Sequence, residues 1–189
     1  ALRDRLFVAV LLASIASGIS FFAYLSMSSF VLEHGFGLNA QWFSVVFAAN
    51  ALANIGGGQL SRLVVVRAGP LVVYLTGTTL TALATALLLV LVAAGAGVLG
   101  AVLPLVLFML AAGLSGPNGQ TLALAHHGVR AGTAAALLGT AGMAFGPIVA
   151  PLAALHGANA TAMAVTMATA SACGLVIAWF AVRPAARGA

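Results

Sequence analysis

Six stretches of about 20 residues or more contain no Asp, Glu, Lys or Arg, and only short gaps separate them. They run over 6–32, 42–60, 71–94, 98–125, 133–155 and 161–182. At about 1.5 Å per residue, each is long enough as a helix to cross a hydrocarbon core of about 30 Å. A surface amphipathic helix would carry a charged second face, and a membrane strand needs only about 10 alternating residues. In lipid every backbone N–H and C=O must be satisfied within its own segment, which leaves helices. The expected fold over residues 1–189 is therefore an all-α membrane protein, a bundle of six transmembrane helices.

Composition agrees: 63% of residues are hydrophobic and 5% charged, whereas a soluble chain carries about 25% charged residues. The net charge of +5 would suggest nucleic acid in a soluble protein. Here the arginines stand singly or in pairs beside apolar spans, so there is no basic face and no nucleic-acid partner is expected. Their distribution is topological. Arg3, Arg5, Arg62, Arg67, Arg130, Arg183 and Arg187 all fall in alternate gaps, and the opposite gaps hold Glu33 and no arginine. Basic residues are retained inside, so both termini are expected in the cytoplasm, with Trp42 at the outer interface and Tyr74 and Trp179 near the inner one. Cys173 is a lone cysteine within an apolar run, expected as a small packing residue. No metal site, cofactor or cleaved leader is expected.

The stretch Trp42 to Pro70 reads as one span followed by a glycine-rich, arginine-bearing turn over Gly56 to Gly69, with the loop proper at Ser61 to Pro70. The fourth run is interrupted by Pro104 and by Gly113 to Gly119. Inside the spans the polar chemistry is neutral: Asn50, Asn54, Gln59, Asn118, Gln120 and many Ser and Thr. Each could make an interhelical hydrogen bond, worth about 0.6 kcal/mol, or line a substrate cavity. Asn50 and Asn54 lie four apart and share a face. Gly142 and Gly146 form a small-xxx-small pair before Pro147 and Pro151, which reads either as close packing with a kink or as a hinge. A membrane-embedded charge usually marks an ion path. If this chain takes part in moving ions, the coupling residue is not in these spans.

Taken together, the residues resemble the C-terminal six-helix half of a major facilitator superfamily transporter, nearest to the Bcr/CflA (bicyclomycin/chloramphenicol-resistance) group of drug/proton antiporters. The resemblance rests on Arg3-Asp4-Arg5, on Phe22 to Leu32, on Gly37-Leu38 and on Phe47 to Leu52. It continues through Gly58 to Arg62 with Arg67 and Gly69-Pro70, which are similar to the superfamily's cytoplasmic-loop motif. Gly116-Pro117-Asn118, Ala123 to Ala125 and His127 to Ala134 match further on, and Gly142 to Pro151 is similar to the antiporter motif. That motif's final glycine pair is Ala150-Pro151 here, and Ser29 stands where the group usually has Pro.

The resemblance implies two inverted three-helix repeats and a polyspecific multidrug exporter of the inner membrane. It would exchange hydrophobic drug-like substrates for protons by alternating access against an N-terminal half. It implies substrate contacts at Phe21, Tyr24, Asn50, Asn54, Phe108 and Met109. Gating or motif roles fall to Gly58, Arg62, Arg67, Gly69, Asn118, Gly142, Gly146 and Pro147. The lipid bilayer is the other expected partner. Alone, the chain is expected not to transport unless it pairs with a second half. Two other readings remain at this point: a small membrane scaffold or degenerate transporter fragment, and, more remotely, a rhomboid-like serine protease suggested by Gly113-Leu-Ser115-Gly116. The protease pattern needs a base near the serine, and the sixth span has no His.

The arginine sorting has a direct test. In a Cys173→Ala background, a membrane-impermeant maleimide is expected to label Gln41→Cys and not Arg67→Cys in intact cells. The opposite pattern would invert the topology.

Overall fold

The computed structural model describes residues 4–125, 131–145 and 159–187. Among the described residues the structure is helical throughout, without strands. The helices are α1 (Arg5–Ser29), α2 (Ala40–Ala68), α3 (Pro70–Ala93), α4 (Gly97–Leu124), α5 (Ala131–Ala144) and α6 (Ala160–Ile177). Wide π-type turns extend α1 over Phe30–Gly35 and α6 over Ala178–Val182, after which a short helix, Arg183–Arg187, carries on.

Local chemistry starts four of the helices. Asp4 accepts hydrogen bonds from the amides of Leu6 and Phe7, at 2.9 and 3.4 Å. Asn39 caps α2 through the Trp42 amide at 2.9 Å, and Asn159 caps α6 through Ala162 at 2.8 Å. These satisfy donors that the first turn of any helix leaves unpaired. Between α2 and α3, Gly69 alone turns the chain at φ +79°, and Pro70 opens α3 at the position where its missing N–H costs nothing.

Several boundaries differ from the sequence expectation. The glycine-rich turn over Gly56 to Gly69 is not a turn: α2 runs unbroken to Ala68, so Arg62 and Arg67 ride on the helix, both exposed. The glycines there serve packing, because Gly57 lies where the α2 backbone meets the carbonyl of Leu110 on α4. In return Gly113 of α4 lies against the Asn54 carbonyl of α2. The expected breaks in the fourth run are likewise absent, since α4 is continuous through Pro104 and Pro117. Helices tolerate proline in lipid when neighbours cover the freed carbonyls. The first span reaches Gly35 and the sixth reaches Arg187, into gaps read as polar. Cys173 is exposed rather than packed inside. Tyr74, expected in an interfacial belt, is buried in the bundle, whereas Trp179 is partly exposed with the Arg183 guanidinium 4.6 Å above its ring.

Four helical segments are long and apolar enough to cross a membrane: Arg5–Gly35, Pro70–Ala93, Gly97–Leu124 and Ala160–Ala186. Helix α2 has the length, 29 residues, but its asparagines, glycines and Gln59 dilute its apolarity. The described part of α5 spans 14 residues, and Gly146, Pro147 and Pro151, the expected hinge, lie outside the described residues.

Packing is pairwise. Helix α4 lies against α2 and α3, α1 lies against α5 and α6, α3 touches α6, and α1 crosses α4. A Cβ at Gly57 or Gly113 would strike a facing carbonyl, whereas one at Gly56 meets nothing within 4 Å. Gly57→Leu is therefore expected to destabilise the detergent-solubilised protein by about 1–3 kcal/mol through overpacking. Gly56→Ala should be neutral or stabilising by up to about 1 kcal/mol. Equal unfolding midpoints for the two variants would refute the close α2–α4 contact.

Candidate functional site

Buried apolar residues form two separate cores, one toward each end of the bundle. The first joins Ala23, Tyr24 and Met27 of α1 to Ala84 and Leu88 of α3, Leu105 and Phe108 of α4, and Met163 and Met167 of α6. The second joins Leu6, Phe7 and Val10 to Tyr74 and Leu75, Leu122 and Ala123, and Ala178 and Val182. It lies at the end that carries Arg5 and Arg183.

Between the two cores each helix changes character. On α1 the intervening residues are Ser14, Ser17, Gly18 and Phe21; on α3, Thr78 and Thr81; on α4, Ala112, Ser115, Gly116 and Gly119; on α6, Ser171 and Gly174. Small and hydroxylated side chains cannot fill the space that leucines fill elsewhere. A cavity of about 470 Å³ results, closed further by Phe22, Tyr74, Phe108, Gln120 and, from α5, Leu138, Gly139, Gly142 and Met143. At about 1.5 Å per residue this layer is centred roughly 12–18 Å from the arginine-bearing end, near the middle of a bilayer core.

The wall is polar without being charged. Thr78 donates to the carbonyls of Tyr74 and Leu75 at 3.0 Å, Thr81 to Gly77 at 2.8 Å and Ser115 to Ala112 at 3.3 Å. Ser20 and Ser171 pair their hydroxyls at 3.0 Å across α1 and α6. The Ser115 hydroxyl is thus bonded to its own helix and acts as a wall group.

Of the expected substrate contacts, Phe21 and Phe108 line the cavity, as does Gly142 from the gating set. Tyr24, Asn50, Asn54 and Met109 do not. Tyr24 and Asn50 are both 1% exposed, and the Asn50 amide donates to the Tyr24 hydroxyl at 3.0 Å, tying α2 to α1. The Tyr24 ring lies parallel to Phe47, centroids 6.2 Å apart. Asn50 Oδ1 is left without a partner among the described residues. Asn54 donates to the Met109 carbonyl at 3.1 Å, and Asn118 to Ser61 Oγ at 2.6 Å, both joining α2 to α4. All three asparagines therefore make interhelical bonds. Asn54, Gly58 and Arg62 also line a second, more open cleft of about 560 Å³ between α2 and α4, which shares Ala112, Gly116 and Gln120 with the cavity. Arg67 is exposed on the last turn of α2, and Gly69 forms the turn itself.

The cavity's hydroxyl lining was not singled out from sequence. Its signal was present as Ser14-x-x-Ser17-Gly18 on α1 and Thr78-x-x-Thr81 on α3, polar pairs at helical spacing within otherwise apolar runs.

No family model matches the chain. Over 171 residues it is 33% identical to the uncharacterized MFS-type transporter YdgK of Bacillus subtilis (strain 168), covering 88% of this chain and 41% of that protein. The chain is similar to a membrane transporter. It spans about two fifths of that relative's length.

The Tyr24–Asn50 bond can be measured. A double-mutant cycle of Tyr24→Phe and Asn50→Leu is expected to give a coupling of about 0.6–1.7 kcal/mol in unfolding free energy, the range of buried membrane hydrogen bonds. Additive single effects would show that the pair does not interact.

Proposed function

We propose that this chain is the C-terminal half of a major facilitator exporter of the Bcr/CflA kind, which exchanges hydrophobic drug-like substrates for protons by alternating access in the inner membrane. The observation that carries this reading is the cavity of about 470 Å³ at mid-depth. Its volume falls in the range of small-molecule sites, about 300–1,000 Å³, and its aromatic and hydroxyl lining is of the kind such sites use. A bundle selected only as a scaffold would gain from filling that space, because interiors otherwise pack densely.

Helix pairing supports the inverted repeats. Exchanging α1–α3 with α4–α6 carries the main pairings onto one another: α1 with α5 and α6 becomes α4 with α2 and α3. The close contacts follow the same exchange, since Gly18 of α1 meets the Gly142 carbonyl of α5 as Gly113 of α4 meets the Asn54 carbonyl of α2. With α2 and α5 completed as spans, six helices place both termini on the arginine-bearing side, read as cytoplasmic. The only carboxylates, Asp4 and Glu33, sit near helix ends, where Asp4 caps α1 and Glu33 accepts from the Ser29 hydroxyl at 2.9 Å. A proton-coupling carboxylate would thus belong to the partner half.

Everted vesicles from cells expressing the complete protein provide the test. Hydrophobic drug uptake driven by a pH gradient and abolished by a protonophore is expected, with Phe21→Ala or Phe108→Ala raising KM by about 3–10-fold, as befits lost ring contacts. Vesicles holding this chain alone should show none. Uptake insensitive to the protonophore would remove the antiport assignment, and no uptake of any drug in a broad panel would remove the exporter.

A further inference from the structure

We infer that the cavity between the two cores selects the uncharged aromatic portion of a ligand and rejects charged groups; this rests on the transport reading above and assigns the substrate class of that site. Its described lining contains three phenylalanines, Phe21, Phe22 and Phe108, and no Asp, Glu, Lys, Arg or His. The exclusion of cations is stronger than a census of the wall. The whole chain has two carboxylates, Asp4 and Glu33, and both are engaged near the ends of α1 and its extension. A cation seated at mid-depth would find no counter-charge from this chain, and transfer of an unpaired charge into an apolar site is strongly unfavourable. For anions, the adjoining cleft holds Arg62, whose guanidinium donates to Gln59 at 3.3 Å; the cavity itself does not include it.

The wall also specifies neutral polar contacts. Thr78, Thr81 and Ser115 commit their protons to helix carbonyls, so toward the cavity their oxygens can only accept. Ser14, Ser17 and Gln120 form no side-chain hydrogen bond among the described residues, which leaves them able to donate to a ligand oxygen. The matching molecule is an aromatic body bearing neutral hydroxyl, amide or carbonyl groups.

Two glycines make the test selective, Gly116, which the cavity shares with the cleft, and Gly139, which lines the cavity alone. A Cβ at Gly116 or Gly139, both lining the cavity, meets nothing within 4 Å, so a larger side chain can occupy the space without striking backbone. Gly56 on α2 is equally open and lies outside the cavity. Binding of N-phenyl-1-naphthylamine, its sulfonate and its trimethylammonium derivative would be titrated by fluorescence on the protein as purified from its source membranes into nanodiscs, with empty nanodiscs subtracted. The neutral probe is expected to bind at least about tenfold more tightly than either charged one. Gly116→Phe and Gly139→Phe should each weaken it about tenfold or more, with Gly56→Phe within about twofold of wild type. A charged probe that binds as tightly as the neutral one, and is displaced by the same two substitutions, overturns the neutral selectivity while leaving the cavity as the transport site. Neutral binding that neither cavity substitution weakens overturns the assignment of the cavity, and the transport reading then stands or falls on the vesicle assay alone.

Discussion

The bundle depends on backbone meeting backbone at glycine. Gly57 and Gly113 bring α2 against α4, and Gly18 brings α1 against the Gly142 carbonyl of α5. Lipid offers no hydrophobic force to hold helices together, since an acyl chain is as apolar as leucine. Association therefore relies on close van der Waals contact and on hydrogen bonds between helices, and both require small residues at the crossing. Two of the three asparagine bonds sit on the first of these seams. Asn54 and Asn118 bridge α2 and α4, and Asn50 bridges α2 and α1.

Those seams leave the middle of the bundle lightly filled. Large apolar side chains gather in two cores, and the layer between them consists of serine, threonine and glycine with a phenylalanine rim. The same residue types that let helices approach at one face fail to fill the volume at another. One physical property, small side-chain size at helical spacing, thus produces both the tight contacts and the cavity.

Much of the fold was legible because lipid allows so few solutions. Long uncharged runs read as helices, and the structure adds the caps at Asp4, Asn39 and Asn159 that start three of them. The misplaced helix boundaries have a common source. Gly56 to Gly58 and Pro104 read as breaks because glycine and proline break helices in water. Here Gly57 is held by α4, and α4 continues through Pro104. Tyr74 read as interfacial from its place near a run's end, but its ring covers Gly119 from inside the bundle. For the site, Phe21 and Phe108 were accessible from resemblance and depth. The hydroxyl wall was not, since serine and threonine occur throughout these runs and only the rotation of each helix selects those facing inward.

The sequence by itself determined that the chain is helical and lipid-embedded and that its charges lie toward helix ends, because desolvating a charge or an unpaired backbone group costs more than any local preference can return. Only the tertiary structure decided which neutral polar residues bond to one another and which face empty space. Asn50 and Tyr24 differ from Ser17 and Gln120 less in chemistry than in what stands opposite them. That is set by how far neighbouring helices approach and rotate, a property of pairs of surfaces that no single segment encodes.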